Sequence, residues 1–264
     1  MNLSRGLPKF LDPVYKKFHE SGHKLYLIGG SVRKLLLYKE KEIEDWDMTT
    51  DTTPQEMLKL FPNAFYDNKF GTVGIPIEDK SYKKGFIEIT TFRSESEYRD
   101  RRRPQKIAWG KSIEEDLARR DFTINAIALK ISGLGNKPAI NISKLIDPYD
   151  GEGDLKRQII RAVGNPDERF KEDALRLMRA IRFATELSFE TEEKTMKAII
   201  NDSFLIKEIS GERMRDELLK ILSNDYPYEG VMLLKESHLL EYILPELLEG
   251  VGISQARPGR HHTE

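Results

Sequence analysis

Residues 25–33, LYLIGGSVR, and residues 42–50, EIEDWDMTT, decide how the first part of this chain folds. The earlier stretch is typical of a short strand closed by a glycine pair and followed by a helix. We expect that helix to begin at Ser31, because serine is favoured as an N-cap residue. Glycines let a ligand approach the backbone, and the N–H groups at a helix N-terminus bind phosphate. The alternative is an ordinary strand–helix turn with an exposed Arg33.

The second stretch carries a D-x-D pattern. If residues 45–48 form a strand, Asp45 and Asp47 lie on one face, because side chains alternate along a strand. Trp46 and Met48 then face the core. Two carboxylates on one face repel each other unless a cation bridges them, and oxygen ligands without cysteine favour Mg²⁺. A solvated acidic turn is the alternative, but the position after the glycine turn favours metal-assisted phosphoryl or nucleotidyl transfer.

The composition is that of a globular protein with one large domain or two modest ones. The chain has 264 residues, of which 33% are charged, and a formal net charge of -1. It contains no cysteine, which excludes disulfides, thiolate metal sites and thiol nucleophiles. No apolar run approaches the roughly 20 residues needed to cross a bilayer, and the N-terminus lacks the apolar core of a signal peptide. We expect a cytoplasmic protein without a membrane partner.

The first half alternates between strand and helix patterns. A helix is expected to enter through Pro54, and the alternating residues 85–93, GFIEITTFR, predict a strand that could deliver Glu88 as a third carboxylate. Residues 121–131 form a buried segment, and turns are expected around PAINIS at 138–143.

The character of the chain changes near residue 150, where we place a boundary between an α/β domain and a helical region. From 167 onward the pattern is almost entirely helical, with one apolar face made of Phe170, Ala174, Leu177, Ile181 and Ala184. The chain ends abruptly after SQARPGRHHTE, from which we expect a longer natural chain. The histidines at its end are interpreted as surface residues, not metal ligands.

Several motifs, taken in order, give the chain a family resemblance. They are LIGGSVRKLLL…DWDMTTDTTPQEM, EITTFRSESEYRDRRRP, EEDLARRDFTINAIAL, DPYDGEGDL and RFKEDALRLMRAIRFA. Together they resemble the class II tRNA nucleotidyltransferases, the CCA-adding enzymes, and the related bacterial poly(A) polymerases. Lys34 and Tyr38 depart from the residues common in the family, aspartate and glycine, which puts affinity in doubt more than activity.

The resemblance implies a fold. It predicts a nucleotidyltransferase head with a mixed β-sheet and helices over 1–150, a helical neck that selects the nucleotide over 151–215, and the start of a truncated helical body over 216–264. The glycine-rich DPYDGEGDL would be the hinge between head and neck.

The resemblance also implies roles for residues of the head. Asp45 and Asp47 would carry two Mg²⁺ ions, one activating the RNA 3′-hydroxyl and the other gripping phosphates, with Glu88 as a further catalytic carboxylate. Arg120 and Asp121 would contact the ribose, although a surface salt bridge is the alternative for ARRDF. The remaining nucleotide-binding residues of the head would be Gly29, Gly30, Ser31, Arg33 and Asn125.

In the helical region, the resemblance implies that Asp173 and Arg176 read the base. Cytosine and adenine both present an amino donor beside a ring-nitrogen acceptor, which suit a carboxylate and a guanidinium; uracil and guanine reverse the pattern. We expect the two residues to be adjacent on one helix, where an i,i+3 ion pair is the alternative. Arg179 and Arg182 would join the nucleotide pocket or form a solvated basic face.

Residues 99–106, RDRRRPQK, carry five basic residues and one acid. The pattern fits a solvated loop or a polyanion site. The resemblance makes it the flexible loop used in the final adenosine step, which argues against a pure CC-adding enzyme; its charged residues include Arg99, Asp100, Arg102 and Arg103.

The expected function is template-independent addition of C and A from CTP and ATP to the 3′ end of tRNA, with Mg²⁺ as cofactor. A poly(A) polymerase, or an A-only or CC-only enzyme of the same family, is the first alternative. A catalytically degenerate RNA-binding module is the second. Contact with tRNA is expected to be mostly electrostatic.

Overall fold

A computed structural model describes residues 7–38, 43, 45–66, 71–79, 82–94, 109–134 and 137–253 of the chain. The strands are β1 (Leu25–Ile28), β2 (Asp47–Thr50), β3 (Phe65–Tyr66), β4 (Thr72–Pro76), β5 (Phe86–Thr91), β6 (Ala128–Leu134), β7 (Lys137–Ile146), β8 (Ile159–Ile160) and β9 (Glu190–Thr191). The helices are α1 (Asp12–Glu20), α2 (Gly29–Leu37), α3 (Pro54–Leu60), α4 (Ile113–Ala118), α5 (Gly151–Arg157), α6 (Pro166–Glu172), α7 (Leu175–Leu187), α8 (Glu193–Asp202), α9 (Gly211–Leu222), α10 (Pro227–Glu236), α11 (Leu240–Ile243) and α12 (Glu246–Glu249).

The first part of the chain forms a mixed sheet. Among the described residues it has seven strands in the order β3-β4-β5-β2-β1-β6-β7. Only the β2–β5 pair is parallel within this described sheet, and β1 is antiparallel to β2. The carboxyl end of β1 therefore lies beside the amino end of β2, so the glycine turn and the D-x-D pattern meet at one end of the sheet, as the sequence predicts.

Strand β2 begins at Asp47, so the expected strand over 45–48 is wrong by two residues. Asp45 precedes the strand and is exposed, whereas Trp46 and Met48 are buried in the core as predicted. The two aspartates are thus not equivalent positions on one strand face.

Helix α2 begins at Gly29, and Ser31 is not its N-cap. Gly29 has φ +60°, which glycine adopts without the cost that a side chain would add. The Ser31 hydroxyl instead donates to the Asp45 carbonyl at 2.8 Å and accepts from the Asp47 amide at 2.6 Å. It joins the first turn of α2 to the start of β2.

Two other predicted elements are confirmed and one is wrong. Helix α3 enters through Pro54 and is closed by a capping box between Thr53 and Glu56. The strand predicted within 85–93 is β5. Residues 138–143 do not form turns but belong to β7, which pairs with β6 across two register shifts.

The helical pattern after 167 is interrupted at Asp173. Helix α6 ends at Glu172, Asp173 is extended (φ −149°, ψ 102°), and α7 begins at Leu175. The predicted apolar face is therefore divided between two helices and the residues that join them. All five of its members are nevertheless buried, because the apolar spacing is satisfied by packing on both sides of the break.

The fold class of the described chain is the predicted one: a mixed sheet with helices, followed by a part that is helical apart from the short strands β8 and β9, which pair with each other. One hydrophobic core cluster includes residues of both parts. The exact boundaries, near 150 and 215, stay predictions. Within the residues described, no helix is both long and apolar enough to cross a membrane.

The first residue of α5, Gly151, lies close to the backbone of Thr123. This contact leads to a prediction about stability. A Cβ on Gly151 would lie 2.2 Å from the carbonyl oxygen of Thr123, so Gly151→Ala forces a backbone shift and should lower the free energy of unfolding by about 1–3 kcal/mol. Gly153→Ala, in the same helix, is the matched control. Its Cβ meets only the carboxyl of the exposed Asp150.

Urea titrations of the two variants measure this difference. Gly153→Ala should be neutral or stabilising by up to about 1 kcal/mol, because alanine is the better helix former. Equal effects of the two substitutions would contradict the packing argument.

Candidate active site

The glycine turn brings the start of α2 close to two side chains, one from the segment after α4 and one from β2. A Cβ on Gly29 would lie 3.0 Å from Nη1 of Arg120, and one on Gly30 would lie 3.5 Å from Oδ2 of Asp47. The absence of side chains at these two positions therefore leaves room for both groups at the helix N-terminus. This is the geometry that suits an anion approaching the backbone between a guanidinium and a carboxylate.

Three carboxylates lie at the same end of the sheet. Asp47 and Glu88 are paired in the parallel register of β2 and β5, and Asp45 stands just before β2. Lys84, in the turn before β5, places Nζ 2.8 Å from Oδ1 of Asp45 and 2.9 Å from Oε2 of Glu88. Strand β5 thus brings Glu88 beside Asp47, with an ammonium group between two of the three acids.

The environment of this cluster shifts two pKa values. Burial raises the pKa of Asp47, and the charges of Asp45 and Glu88 raise it further, although Arg120 opposes them. Burial alone would lower the pKa of Lys84, but its hydrogen bonds to Asp45 and Glu88 outweigh burial and raise it. The half-buried Asp47 is therefore a carboxylate that gains from an added cation.

The donor set fits a magnesium ion. No group of three or more His, Cys, Asp or Glu side chains in the described ranges is arranged to hold a metal ion. Mg²⁺, however, is commonly held by one or two carboxylates and completes its shell with water and substrate phosphates. Asp45 and Asp47 carry carboxylate oxygens of this kind, and the Lys84 ammonium already serves as a cation beside one of them.

A buried acid organises the arginines of the ARRDF motif. Asp116, on α4, has a fully buried side chain and accepts hydrogen bonds from Nε of Arg119 at 3.1 Å and Nη2 of Arg120 at 3.0 Å. It also accepts from the backbone amide of Arg93 at 3.1 Å. Burial would raise the pKa of Asp116, but the two arginines lower it to about 2. A surface salt bridge, the alternative for this motif, is therefore wrong.

Asp121 joins the sheet region to α7. Its Oδ2 accepts from Nε of Arg179 at 2.8 Å, and its Oδ1 accepts from Nδ2 of Asn125 at 3.2 Å. Asn125 in turn accepts a hydrogen bond from the guanidinium of Arg33. Burial would raise the pKa of Asp121, but Arg179 holds it well below its usual range. Arg33, which the alternative placed on the surface, is buried.

Three guanidinium groups surround one aromatic ring. Arg33, Arg179 and Arg182 place their central carbons 4.6, 5.3 and 4.1 Å from the ring centroid of the buried Phe183. These distances lie in the range of cation–π attraction, which strengthens as groups lose water. The ring thus gathers arginines from α2 and α7 at one place.

Carboxylates form ion pairs with Arg33 and Arg182. Arg182 donates from Nε to Glu217 at 2.6 Å and from Nη1 to Glu186 at 2.9 Å. Glu186 also lies 3.6 Å from Nη2 of Arg33. Arg179 and Arg182 therefore do not form a solvated basic face, because both are held in ion pairs between packed elements.

Asp173 and Arg176 are not neighbours on one helix, because α6 ends at Glu172 and α7 begins at Leu175, which leaves Asp173 between the two helices. Asp173 accepts from Nη2 of Arg213 at 2.8 Å and caps α7 through the Leu175 amide. Arg176 pairs with Glu172 and donates from Nη2 to the carbonyl of Arg119 at 2.9 Å. The expectation that both residues are adjacent on one helix is wrong, because the chain is extended at Asp173, and the alternative i,i+3 ion pair between them does not form either.

The predicted flexible loop, with Arg99, Asp100, Arg102 and Arg103, lies outside the described residues. Sequence reasoning missed Lys84, Asp116 and Phe183. The signal for Asp116 was an acid before two arginines. The signal for Phe183 was an aromatic residue after a run of spaced arginines. Nothing in the sequence near Lys84 pointed to Asp45, 39 positions away.

A family model described as "Poly A polymerase head domain" matches residues 25–161. The chain belongs to this family. A second model, described as "Probable RNA and SrmB- binding site of polymerase A", matches residues 188–250. The resemblance identified from the motifs is thereby confirmed.

Named relatives and solved structures agree with the family. The chain is 46% identical over 210 residues to the CCA-adding enzyme of Lactobacillus delbrueckii subsp. bulgaricus, covering 79% of this chain and 49% of that protein. It is similar to the Bacillus stearothermophilus CCA-adding enzyme in complex with CTP, with a TM-score of 0.73, 35% identity, and coverage of 88% and 53% of the two chains.

It is also similar to a tRNA nucleotidyltransferase complexed with a primer tRNA and an incoming ATP analog, with a TM-score of 0.69, 31% identity, and coverage of 88% and 62%. The chain thus spans about half the length of the curated relatives it matches.

The Asp116 cluster predicts an acid-sensitive stability. Because the pKa of Asp116 in the folded protein is about 2, below the ordinary aspartate value of about 4, the ionised carboxylate stabilises the fold above about pH 4, and this contribution is lost as pH falls toward 2. Asp116→Asn should lower the free energy of unfolding by about 3 kcal/mol at pH 7. In urea titrations the difference from the wild type should shrink at pH 3. The exposed Glu114→Gln, on the same helix, is the control, and a deficit independent of pH would contradict the ion-pair account.

The raised pKa of Asp47 predicts an effect of pH on stability that is opposite to the effect of Asp116. Ionisation of Asp47 costs the folded state free energy, and the cost appears as pH rises above the unfolded value near about 4. In metal-free buffer with a chelator, Asp47→Asn should therefore raise the thermal midpoint at pH 7 and leave it unchanged at pH 3. Asp51→Asn, just after the same strand, keeps its acceptor for the Lys24 amide and should not raise it. A lower midpoint for Asp47→Asn at pH 7 would refute the assignment.

Proposed function

We propose that this chain carries out template-independent nucleotidyl transfer to the 3′ end of tRNA, adding C and A from CTP and ATP. The observation that carries the proposal is the convergence of Asp45, Asp47 and Glu88 with the glycine turn of α2 at one end of the sheet. Carboxylates beside an anion-binding helix end suit a metal-bound nucleoside triphosphate. The relatives named as CCA-adding enzymes support this reaction for the family.

In this proposal the triphosphate lies at the N-terminus of α2, against Gly29, Gly30 and Ser31, with Arg33 behind it. Asp45 and Asp47 hold Mg²⁺, which when bound supplies Lewis-acid activation of the attacking hydroxyl and neutralises phosphate charge. The chain's own part is to orient the triphosphate with backbone N–H groups and to present the carboxylates on rigid strands. Glu88 lies beside Asp47 in register and adds negative charge to the same place.

The ribose is proposed to lie near Arg120, Asp121 and Asn125. Arg120 donates a hydrogen bond to Asp116, and Asn125 donates one to Asp121. Arg179 and Arg182, gathered by Phe183, complete the pocket on the α7 side. Each of these arginines exchanges part of its contact with a carboxylate for contact with the nucleotide.

The base is proposed to be read by Asp173 and Arg176. Both belong to the joint between α6 and α7, and Arg213 and Glu172 hold them in place. A carboxylate that accepts from an amino group and a guanidinium that donates to a ring nitrogen accept cytosine and adenine and reject uracil and guanine.

The remaining parts of the proposal concern the domains, the contact with tRNA and the location of the protein. We propose a catalytic head over 1–150 and a nucleotide-selecting neck over 151–215, with the start of a helical body over 216–264. The tRNA is proposed to be held mainly through phosphates and shape. A place in the cytoplasm follows from a tRNA substrate. A poly(A) polymerase is the second candidate, because the matched head family carries that description.

The test is primer extension on a tRNA transcript that ends at the discriminator base, with Mg²⁺ and each NTP singly and in pairs. We expect addition of C, C and then A, reduced at least about a hundredfold by Asp47→Asn, because the metal loses a ligand that stabilises the transition state. Asp51→Asn, the isosteric control, should keep wild-type activity.

Other products distinguish the alternatives. Addition of A alone to a transcript ending in CC indicates an A-adding enzyme, and stopping after CC indicates a CC-adding enzyme. Unbounded A tails indicate a poly(A) polymerase. Binding of tRNA without incorporation, in a full-length protein as well as in this chain, would leave an RNA-binding module and overturn the proposal.

A further inference from the structure

Lys84 occupies an unusual place for a surface lysine. It lies in the turn that precedes β5, and its side chain is only 26% exposed. Its Nζ lies 2.8 Å from Asp45, 2.9 Å from Glu88 and 5.0 Å from the ring centroid of Phe86. The ring and the two acids fix the ammonium at the end of the sheet where the carboxylates converge.

The two acids that Lys84 joins come from separate parts of the chain. Asp45 precedes β2, Glu88 lies within β5, and both are more exposed than the lysine, at 61% and 41% of their side chains. Without a cation between them, Asp45 and Glu88 would repel each other and Asp47. An ordinary surface ion pair, by comparison, would join the lysine to one acid and would leave the lysine side chain largely exposed.

We propose that Lys84 is a tethered counter-ion, held by Glu88, that competes with the divalent cation for Asp45 and thereby sets the metal affinity of the site. The inference rests on the proposed function, since it takes Asp45 and Asp47 as metal ligands. A cation that binds Oδ1 of Asp45 must displace the ammonium from it. Lys84 is a positioning residue: it holds the two acids near their places and weakens the binding of free metal ions.

The competition has a direct consequence for the order of binding. A metal ion that arrives alone must displace a fixed positive charge, whereas one that arrives with a triphosphate brings negative charge that the displaced ammonium can face. Lys84 therefore favours metal bound to nucleotide over free metal. Removing its charge should tighten the binding of the free ion by about tenfold, since a unit charge a few ångströms away interacts strongly even under partial screening.

The test measures binding of Mn²⁺, which takes the same oxygen ligands as Mg²⁺, by the loss of its free-ion electron paramagnetic resonance signal. No nucleotide is present. Lys84→Met keeps the length of the side chain and removes its charge, and should lower the Kd about tenfold. Lys83→Met removes the same charge from the exposed neighbouring position in the same turn, and should change the Kd less than twofold. Lys84→Arg keeps the charge and should stay within about threefold of the wild type.

A second readout follows folding. In chelator the thermal midpoint of Lys84→Met should lie below that of Lys83→Met, because the acids lose their counter-ion, and saturating Mn²⁺ should raise it by more than it raises the wild type.

The outcomes separate this inference from the proposed function. Equal Kd values for Lys84→Met and Lys83→Met, with wild-type binding that Asp47→Asn weakens, would overturn the role of Lys84 and leave the metal site intact. Weaker binding by Lys84→Met would also overturn it. Wild-type binding that Asp47→Asn does not change would overturn the metal site itself, and the competition with it.

Discussion

The buried carboxylate of Asp121 is the point on which the arrangement of the site depends. It accepts from Asn125 within its own segment and from Arg179 on α7, and Asn125 carries the chain of hydrogen bonds onward to Arg33 on α2. A buried charge is tolerated only when its partners satisfy it. The Arg179–Asp121 pair therefore joins α7 to the segment before β6, in addition to the apolar residues of α7 that pack in the core.

The site separates charge into two regions. Carboxylates meet at the end of β2 and β5, where burial raises the pKa of Asp47, whereas the face toward α7 is rich in guanidinium groups around Phe183. In the proposed function the carboxylates hold the metal ions, and the guanidinium groups face the anionic and polar groups of the nucleotide. The backbone at Gly29 and Gly30 lies at the border between the two regions.

Much of this arrangement could be predicted from the sequence, where the signal was local. The glycine pair and the alternation around Glu88 placed the glycine turn, Asp47 and Glu88 at one end of the sheet, whereas Asp45 lies before β2 and not on its face. The break at Asp173 could not be predicted, because apolar spacing continues unchanged from Phe170 to Leu177 across it. The role of Ser31 was also missed, since its hydroxyl serves β2 rather than its own helix. Lys84 and the partner of Arg179 depend on contacts between distant positions, which no local pattern encodes.

The stacking of three arginines on Phe183 has a consequence for turnover. Attraction to a ring face does not consume the N–H donors at the edges of a guanidinium, so Arg33, Arg179 and Arg182 stay in place while their edges change partners. Each is already neutralised by an acid before any substrate arrives. Entry of an anion is then an exchange of one counter-charge for another, with little change in the total field. In the proposed function, departure of an anionic product is the reverse exchange, which lets the proposed pocket bind a highly charged molecule and still release it.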